Sequence, residues 1–263
     1  MSIADKLTTI AENQQRVYNK GFIDGQNAGG SGNYEQGFAD GKQAEYDKFW
    51  DGYQQNGNRN NYAMAFAQLG WIDEIFNPKY DLTLTIAAQM FNNSRITTLA
   101  SKLKEKGLKF DTSALTGTGA LQMFQSSSIK DVPELDLRNC TNIGYLVGSG
   151  AKVETIEKLI ISEKTTTGLN TAFNNAKQLI HCLFGGVLAI TGLDMSACTL
   201  LDKESITSLV GILSTTTSGL SVTLSKQAVN KAFETSENAN NGSNSTEWTT
   251  LVNTKQNWTI NLS

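Results

Sequence analysis

An α/β-type repeat solenoid preceded by an α-helical region is the fold class this sequence predicts, and three observations predict it. Val132 to Ile143 (VPELDLRNCTNI) and Ile190 to Leu201 (ITGLDMSACTLL) carry apolar or thiol residues at five identical offsets, with Asp between the paired apolar positions. Short strand signals recur at Leu82, Leu108, Leu135, Leu159, Leu193, Leu220 and Ile260, at intervals of 26, 27, 24, 34, 27 and 40 residues. Between them a returning arm recurs as Met90-Phe91-Asn-Asn-Ser, Met123-Phe124-Gln-Ser-Ser and Ala172-Phe173-Asn-Asn-Ala. A strand whose alternate residues point inward, closed by a buried Cys, is the strand and turn of a leucine-rich repeat. The predicted class is therefore an α/β-type leucine-rich repeat solenoid with an N-terminal α-helical region.

Residues 1–55 form the first predicted segment, a helical oligomerisation or anchoring region. Ile3, Leu7, Ile10, Gln14 and Val17 step by four, three, four and three, a heptad seam. Leu flanked by Ile on such a seam favours trimers or tetramers, so a homotrimeric coiled coil is one reading. A single amphipathic helix packed on its own chain is the other. Tyr18-Asn-Lys-Gly21-Phe22-Ile-Asp24-Gly25 recurs as Tyr34-Glu-Gln-Gly37-Phe38-Ala-Asp40-Gly41. Glycines four apart permit close helix approach but cost about 1 kcal/mol each relative to Ala, so such a helix needs partners. Tyr46, Phe49, Trp50 and Tyr53 then share one helical face.

Residues 56–80 are expected to be a linker followed by the cap of the repeat array, with Trp71 and Phe76 packing. Residues 81–263 are the repeat domain. Within the 34-residue interval an extra element is expected at Val187 to Ile190, after Gly185-Gly186. The arm phenylalanines are expected to fill the core opposite the strands. SENANNGSNSTEW is a polar loop, and Trp248, Leu251, Trp258, Ile260 and Leu262 supply the C-terminal cap.

Composition narrows the function classes. Hydrophobic residues make up 39% and charged ones 18%, so the polarity comes mainly from Asn, Gln, Ser, Thr and Gly. A net charge of -3 without a Lys/Arg run argues against a nucleic-acid partner or an anionic membrane surface. No stretch approaches the roughly 18 apolar residues of a membrane span, and MSIADKLTTIAENQQ lacks the basic and apolar segments of a secretory signal. Synthesis in a cytoplasm is expected. Cys140, Cys182 and Cys198 read as buried free thiols.

The Leu-x-Leu-x-x-Cys strand, the Phe-Asn-Asn arm and the closing NWTINL resemble leucine-rich repeats of the BspA-like kind. The segments AEYDKFWDGYQQNG and NYAMAFAQLGWIDEIFNPKYD are similar to proteins carried by phages and prophages of Gram-positive gut bacteria. The resemblance covers nearly the whole chain. It implies a non-enzymatic virion component such as a head or tail fibre, assembled with other virion proteins and binding a host-surface glycan or protein. A bacterial repeat adhesin or effector is the alternative.

Enzyme chemistry finds little support. His181 is the only histidine, which removes clusters or triads needing a second one. Cys182 beside it belongs to the opposite strand face. The pairs Asp131 with Glu134 and Glu154 with Glu157 read as solvated surface, and Gly117/Gly119 and Gly148/Gly150 as turns. No catalytic residue, metal ligand set or cofactor is expected. The candidate binding residues are those beside and after the inward pairs: Asp136, Arg138 and Asn139, then Ile160, Ser162 and Glu163, then Asp194, Ser196 and Ala197. Stacked repeats would align them on one face.

If residues 1–55 make the oligomer, light scattering should report an assembly for the full chain and a monomer for a chain beginning at Asn56. Two monomers would remove the seam reading.

Overall fold

Short runs that alternate an aliphatic with a polar residue can bury one face, and they complete their backbone hydrogen bonds only on a neighbouring run. The computed structural model describes residues 62, 63, 65–67, 80–234 and 245–263. All of these except Tyr80 belong to one compact unit of the chain. The heptad seam, both glycine-containing copies, the Tyr46–Tyr53 face, Trp71, Phe76 and most of the polar loop after Ser236 lie outside the described residues.

Strand β1 (Leu82–Thr83) pairs with β2 (Phe110–Asp111). Strands β3 (Asp131–Val132) and β4 (Leu135–Asp136) are separated by Pro133, which has no N–H for a ladder, and both pair with the longer β5 (Thr155–Ile161). The other edge of β5 takes β6 (His181–Gly186). A third sheet runs β7 (Leu193–Met195), β8 (Leu220–Leu224), β9 (Trp258–Leu262). Every one of these pairings is parallel, as are the bridges joining Thr98 to Asp131, Gly117 to Cys140, Asn142 to Thr167 and Leu188 to Leu213. The chain thus returns to the same side every two to four dozen residues.

Leu135, Leu137, Cys140, Leu193, Met195 and Cys198, expected to point inward, are each at most 1% exposed. Burial pushes the Cys140 thiol up to about 11 and Cys198 up to about 12, and raises Cys182 as well. All three are free and buried.

Phe91, Phe124 and Phe173 of the returning arm are buried. Phe66 extends the series: its ring lies 5.4 Å from Phe91, which lies 5.4 Å from Phe124, both pairs stacked. The backbone copies the stack, since Phe66 N–H donates to Met90, Phe91 to Met123 and Phe124 to Leu146. The arm turns tightly through Gln89, Asn93, Gln122 and Ser126, all at positive φ. Gln89 and Gln122 share a side-chain amide hydrogen bond, as do Asn92 and Gln125.

The first helix follows an arm copy, and the later ones lie where the arm pattern is absent. α1 (Ala100–Lys106) has no cap of its own. The Asp131 carboxylate supplies it, accepting from Leu99 N–H and Ser101 N–H at 2.7 Å each. Asp131 is therefore a helix cap rather than a solvated acid. α2 (Lys203–Ile212) follows β7 with Asp202 as its cap, and α3 (Lys226–Phe233) and α4 (Thr246–Asn253) are capped by Ser225 and Ser245. α2 covers the outer edge of β6: Ser205 Oγ accepts from Cys182 N–H at 2.8 Å and Ser208 Oγ from Phe184 N–H at 3.0 Å.

The C-terminal segment clasps the end of α2. Lys255 Nζ donates to the carbonyls of Gly211 and Leu213, while Asn257 Nδ2 and Trp258 Nε1 both donate to Ser214 O. Burial holds the Lys255 pKa below its usual range. Trp248 is fully buried, 5.2 Å from the Phe233 ring.

Two further expectations need correction. The extra element is His181–Gly186, six residues earlier than expected, with Leu188 reduced to a single bridge. The run HCLFGG was obscured by its glycines, which end the strand instead of preceding it. Ile160 is buried, although it neighbours outward residues. It lies beside Gly185 and Gly186 of the paired strand, where a Cβ would come within 3.4 Å of its side chain, so no neighbouring side chain on β6 competes for its position.

Phe124→Ala should cost about 3 to 5 kcal/mol, the usual range for emptying an aromatic core site. Urea denaturation gives the value, and a loss under 1 kcal/mol would mean that the stack carries little of the core.

Candidate functional site

The strand ends place an ion pair between two grooves. Asp136 closes β4, its N–H donating to Thr112 Oγ1 at 2.7 Å. Its Oδ1 accepts from Arg138 Nε at 2.8 Å and from Arg138 N–H at 3.3 Å. This Asx-type turn follows from a short acid two residues before the acceptor N–H. The carboxylate in turn raises the Arg138 pKa above its usual value.

On one side lies a groove of about 670 Å³ that includes Phe110, Thr112, Pro133, Glu134, Asp136 and Glu157. Its charged lining is Asp111, Glu134, Asp136 and Glu157 against Lys104 and Lys109. On the other side a groove of about 590 Å³ is rimmed by Arg138, Asn139, Lys158, Ser162, Glu163 and Lys164, with Ile160, Ile161, Gly185, Gly186 and Val187 below them. Its cations outnumber its one acid.

Hydrogen bonds between successive strand ends stiffen this second rim. Ser162 Oγ donates to Arg138 O at 2.5 Å, Lys164 Nζ donates to Asn139 Oδ1 at 3.0 Å, and Asn139 Nδ2 donates to Ser113 O at 3.3 Å. Five of the predicted residues, Arg138, Asn139, Ile160, Ser162 and Glu163, are thus brought together, Ile160 from a buried position, and Asp136 stands on the dividing ridge. Asp194 and Ser196 belong to and follow β7 in the third sheet, where Ser196 N–H donates to Asp194 Oδ1, and they line neither groove.

Lys158, Lys164, Gly185, Gly186 and Val187 were not anticipated. Lys158 precedes the expected pair Leu159 and Ile161, and the β-branched run TIEKLII was the available sign that this strand begins earlier.

The lone histidine belongs to a third arrangement. His181 Nδ1 lies 2.7 Å from Asp202 Oδ2, whose other oxygen accepts from both the N–H and the hydroxyl of Ser205. Ser205 Oγ then receives Cys182 N–H. The chain of bonds ties β6 to the start of α2, and the thiol itself is fully buried. Among the described residues no group of three or more His, Cys, Asp or Glu side chains is placed to hold a metal ion. No helix among them is long and apolar enough to cross a membrane.

Burial raises the Asp202 pKa, but the Ser205 hydrogen bonds and His181 outweigh it, leaving the carboxyl below its usual range. A depressed folded-state pKa gives stability that is fully present above the unfolded value of about 4 and is lost as pH falls through the lower folded value. Asp202→Asn should therefore flatten the acid limb of a melting-temperature profile between pH 6 and 2. An unchanged limb would show that Asp202 does not couple to folding.

Comparison of the chain with protein-family models, with curated proteins and with solved structures yields no match to any of them.

Proposed function

We propose that this chain is a non-enzymatic structural and interaction protein of the α/β leucine-rich repeat type, a head- or tail-fibre-like virion component whose repeat region binds a host-surface protein or glycan. In this reading residues 1–55 join copies of the chain, as a homotrimer, and attach it to other virion proteins. One observation carries the recognition half. Three consecutive parallel strands contribute to one groove: Arg138 and Asn139 after β4, Ser162 to Lys164 after β5, and Gly185 to Val187 at the end of β6. A surface assembled from successive strands is rigid, which lowers the ordering cost of binding. The virion half is supported by the resemblance of the N-terminal segments alone.

Two measurements test the halves separately. Mass spectrometry of purified phage particles should detect the chain, and its absence would favour the adhesin or effector reading. Substituting Arg138, Glu163 and Lys164 together by Ala should leave folding within about 0.5 kcal/mol per site, as exposed changes usually do. Attachment of the purified protein to host cells should fall at least about tenfold. Undiminished attachment would remove this face as the principal recognition surface.

A further inference from the structure

The groove rimmed by Arg138, Lys158 and Lys164 has a chemistry distinct from its neighbour, and part of its floor is glycine backbone. Gly186 has a φ of +89°, and a Cβ there would lie 1.9 Å from Ile161 O, so only glycine permits this approach of β6 to β5. A Cβ on Gly185 would meet Lys158 Cε at 3.1 Å. The lysine stem therefore lies over the glycine backbone, and Val187, 45% exposed, continues the apolar strip.

Each cation is held with bonding capacity to spare. Asp136 takes Arg138 Nε, which fixes the guanidinium plane, and neither Nη nitrogen donates a hydrogen bond among the described residues. Lys164 gives one bond to Asn139 and keeps two further donors. Lys158 has no ion pair among the described residues. Glu163 is the single acid in the lining.

We propose that this groove binds an acidic peptide segment, with one Asp or Glu carboxylate among Arg138, Lys158 and Lys164 and an adjacent aliphatic side chain against Val187. The proposal rests on the interaction reading above and names the partner class for it. Planar guanidinium and paired ammonium groups suit a carboxylate. The cations are interspersed with aliphatic surface from Val187 and the lysine stems, which matches a chain alternating acidic and aliphatic residues. None of the lining residues is aromatic, so there is no ring on which a pyranose could stack. The acid-rich groove beyond Asp136 repels the same ligand and confines it to one side.

The test uses the full chain and a synthetic peptide array in which Asp or Glu stands beside Leu, Ile or Val, each peptide having an Asn or Gln counterpart. Fluorescence anisotropy then gives affinities, with polygalacturonate as the saccharide arm. Acidic peptides should bind, and binding should weaken at least about tenfold for the amide counterparts, for Lys158→Gln with Lys164→Gln, and for Gly185→Ala. The added methyl of Gly185→Ala meets the flexible end of Lys158 and reaches Ile160 Cγ1 only at an ordinary van der Waals distance of 3.4 Å, so its melting temperature should match the unaltered chain and separate a filled floor from a damaged fold. Lys164→Glu should shift preference toward Lys-containing peptides. Amide counterparts that bind equally would overturn the carboxylate. Acidic peptides indifferent to every variant would overturn this site while leaving the wider interaction reading standing. Polygalacturonate binding that depends on the two lysines, with no peptide bound, would replace the peptide by a saccharide. If neither probe binds, the proposal fails, and the host-attachment measurement decides the wider reading independently.

Discussion

Parallel pairing between segments two to four dozen residues apart is the constraint on which the other features depend. A two-residue strand such as Leu82–Thr83 has no stability alone, and its N–H and carbonyl groups are completed only by Phe110–Asp111. The same pairing on the arm side, from Phe66 through Phe91 to Phe124, sets the rings 5.4 Å apart in register. Backbone bonding and aromatic burial therefore reinforce one another: shifting one strand by a residue would break the ladder and turn the buried leucines outward.

Such a ladder has exposed edges wherever the repeat departs from its pattern, and this chain covers them with side chains. Ser205 and Ser208, one helical turn apart on α2, accept the N–H groups of Cys182 and Phe184 that a further strand would have taken. At the far end of α2, Lys255 reaches the carbonyls of Gly211 and Leu213, and Asn257 and Trp258 share Ser214 O. Leaving a buried backbone group unpaired costs about 1 to 3 kcal/mol, so each of these polar side chains removes a penalty comparable to the gain from one buried apolar side chain. Asp131 does the same for α1 from a different part of the chain.

The surface chemistry follows from the same geometry. Because the strand ends stack, polar groups distant in sequence become neighbours, and Lys164 bonds Asn139 across 25 positions. The Asp136–Arg138 pair is largely exposed on its arginine side and contributes little to stability. Its effect is positional. It separates an acid-rich groove from one in which cations predominate, and so gives a protein of small net charge two surfaces of opposite local character.

The sequence by itself determined which residues turn inward. Leu135, Leu137, Cys140, Leu193, Met195, Cys198 and the arm phenylalanines were legible because burial imposes a period of two on a strand and a recurring spacing on its repeats. Arg138, Asn139, Ser162 and Glu163 were legible as outward residues for the same reason. Only the tertiary structure decided what those residues meet. The Lys158 and Gly185–Gly186 contributions to the groove depend on where β5 bulges and how closely β6 approaches, and a bulge shifts the face of every later residue without changing the apolar count. Ile160 is buried beside two glycines of the paired strand, a relation between strands that no local pattern carries. Asp194 and Ser196 stand at the repeat positions of Asp136 and Arg138 yet line neither groove, because a groove is formed by the neighbouring strands as much as by its own.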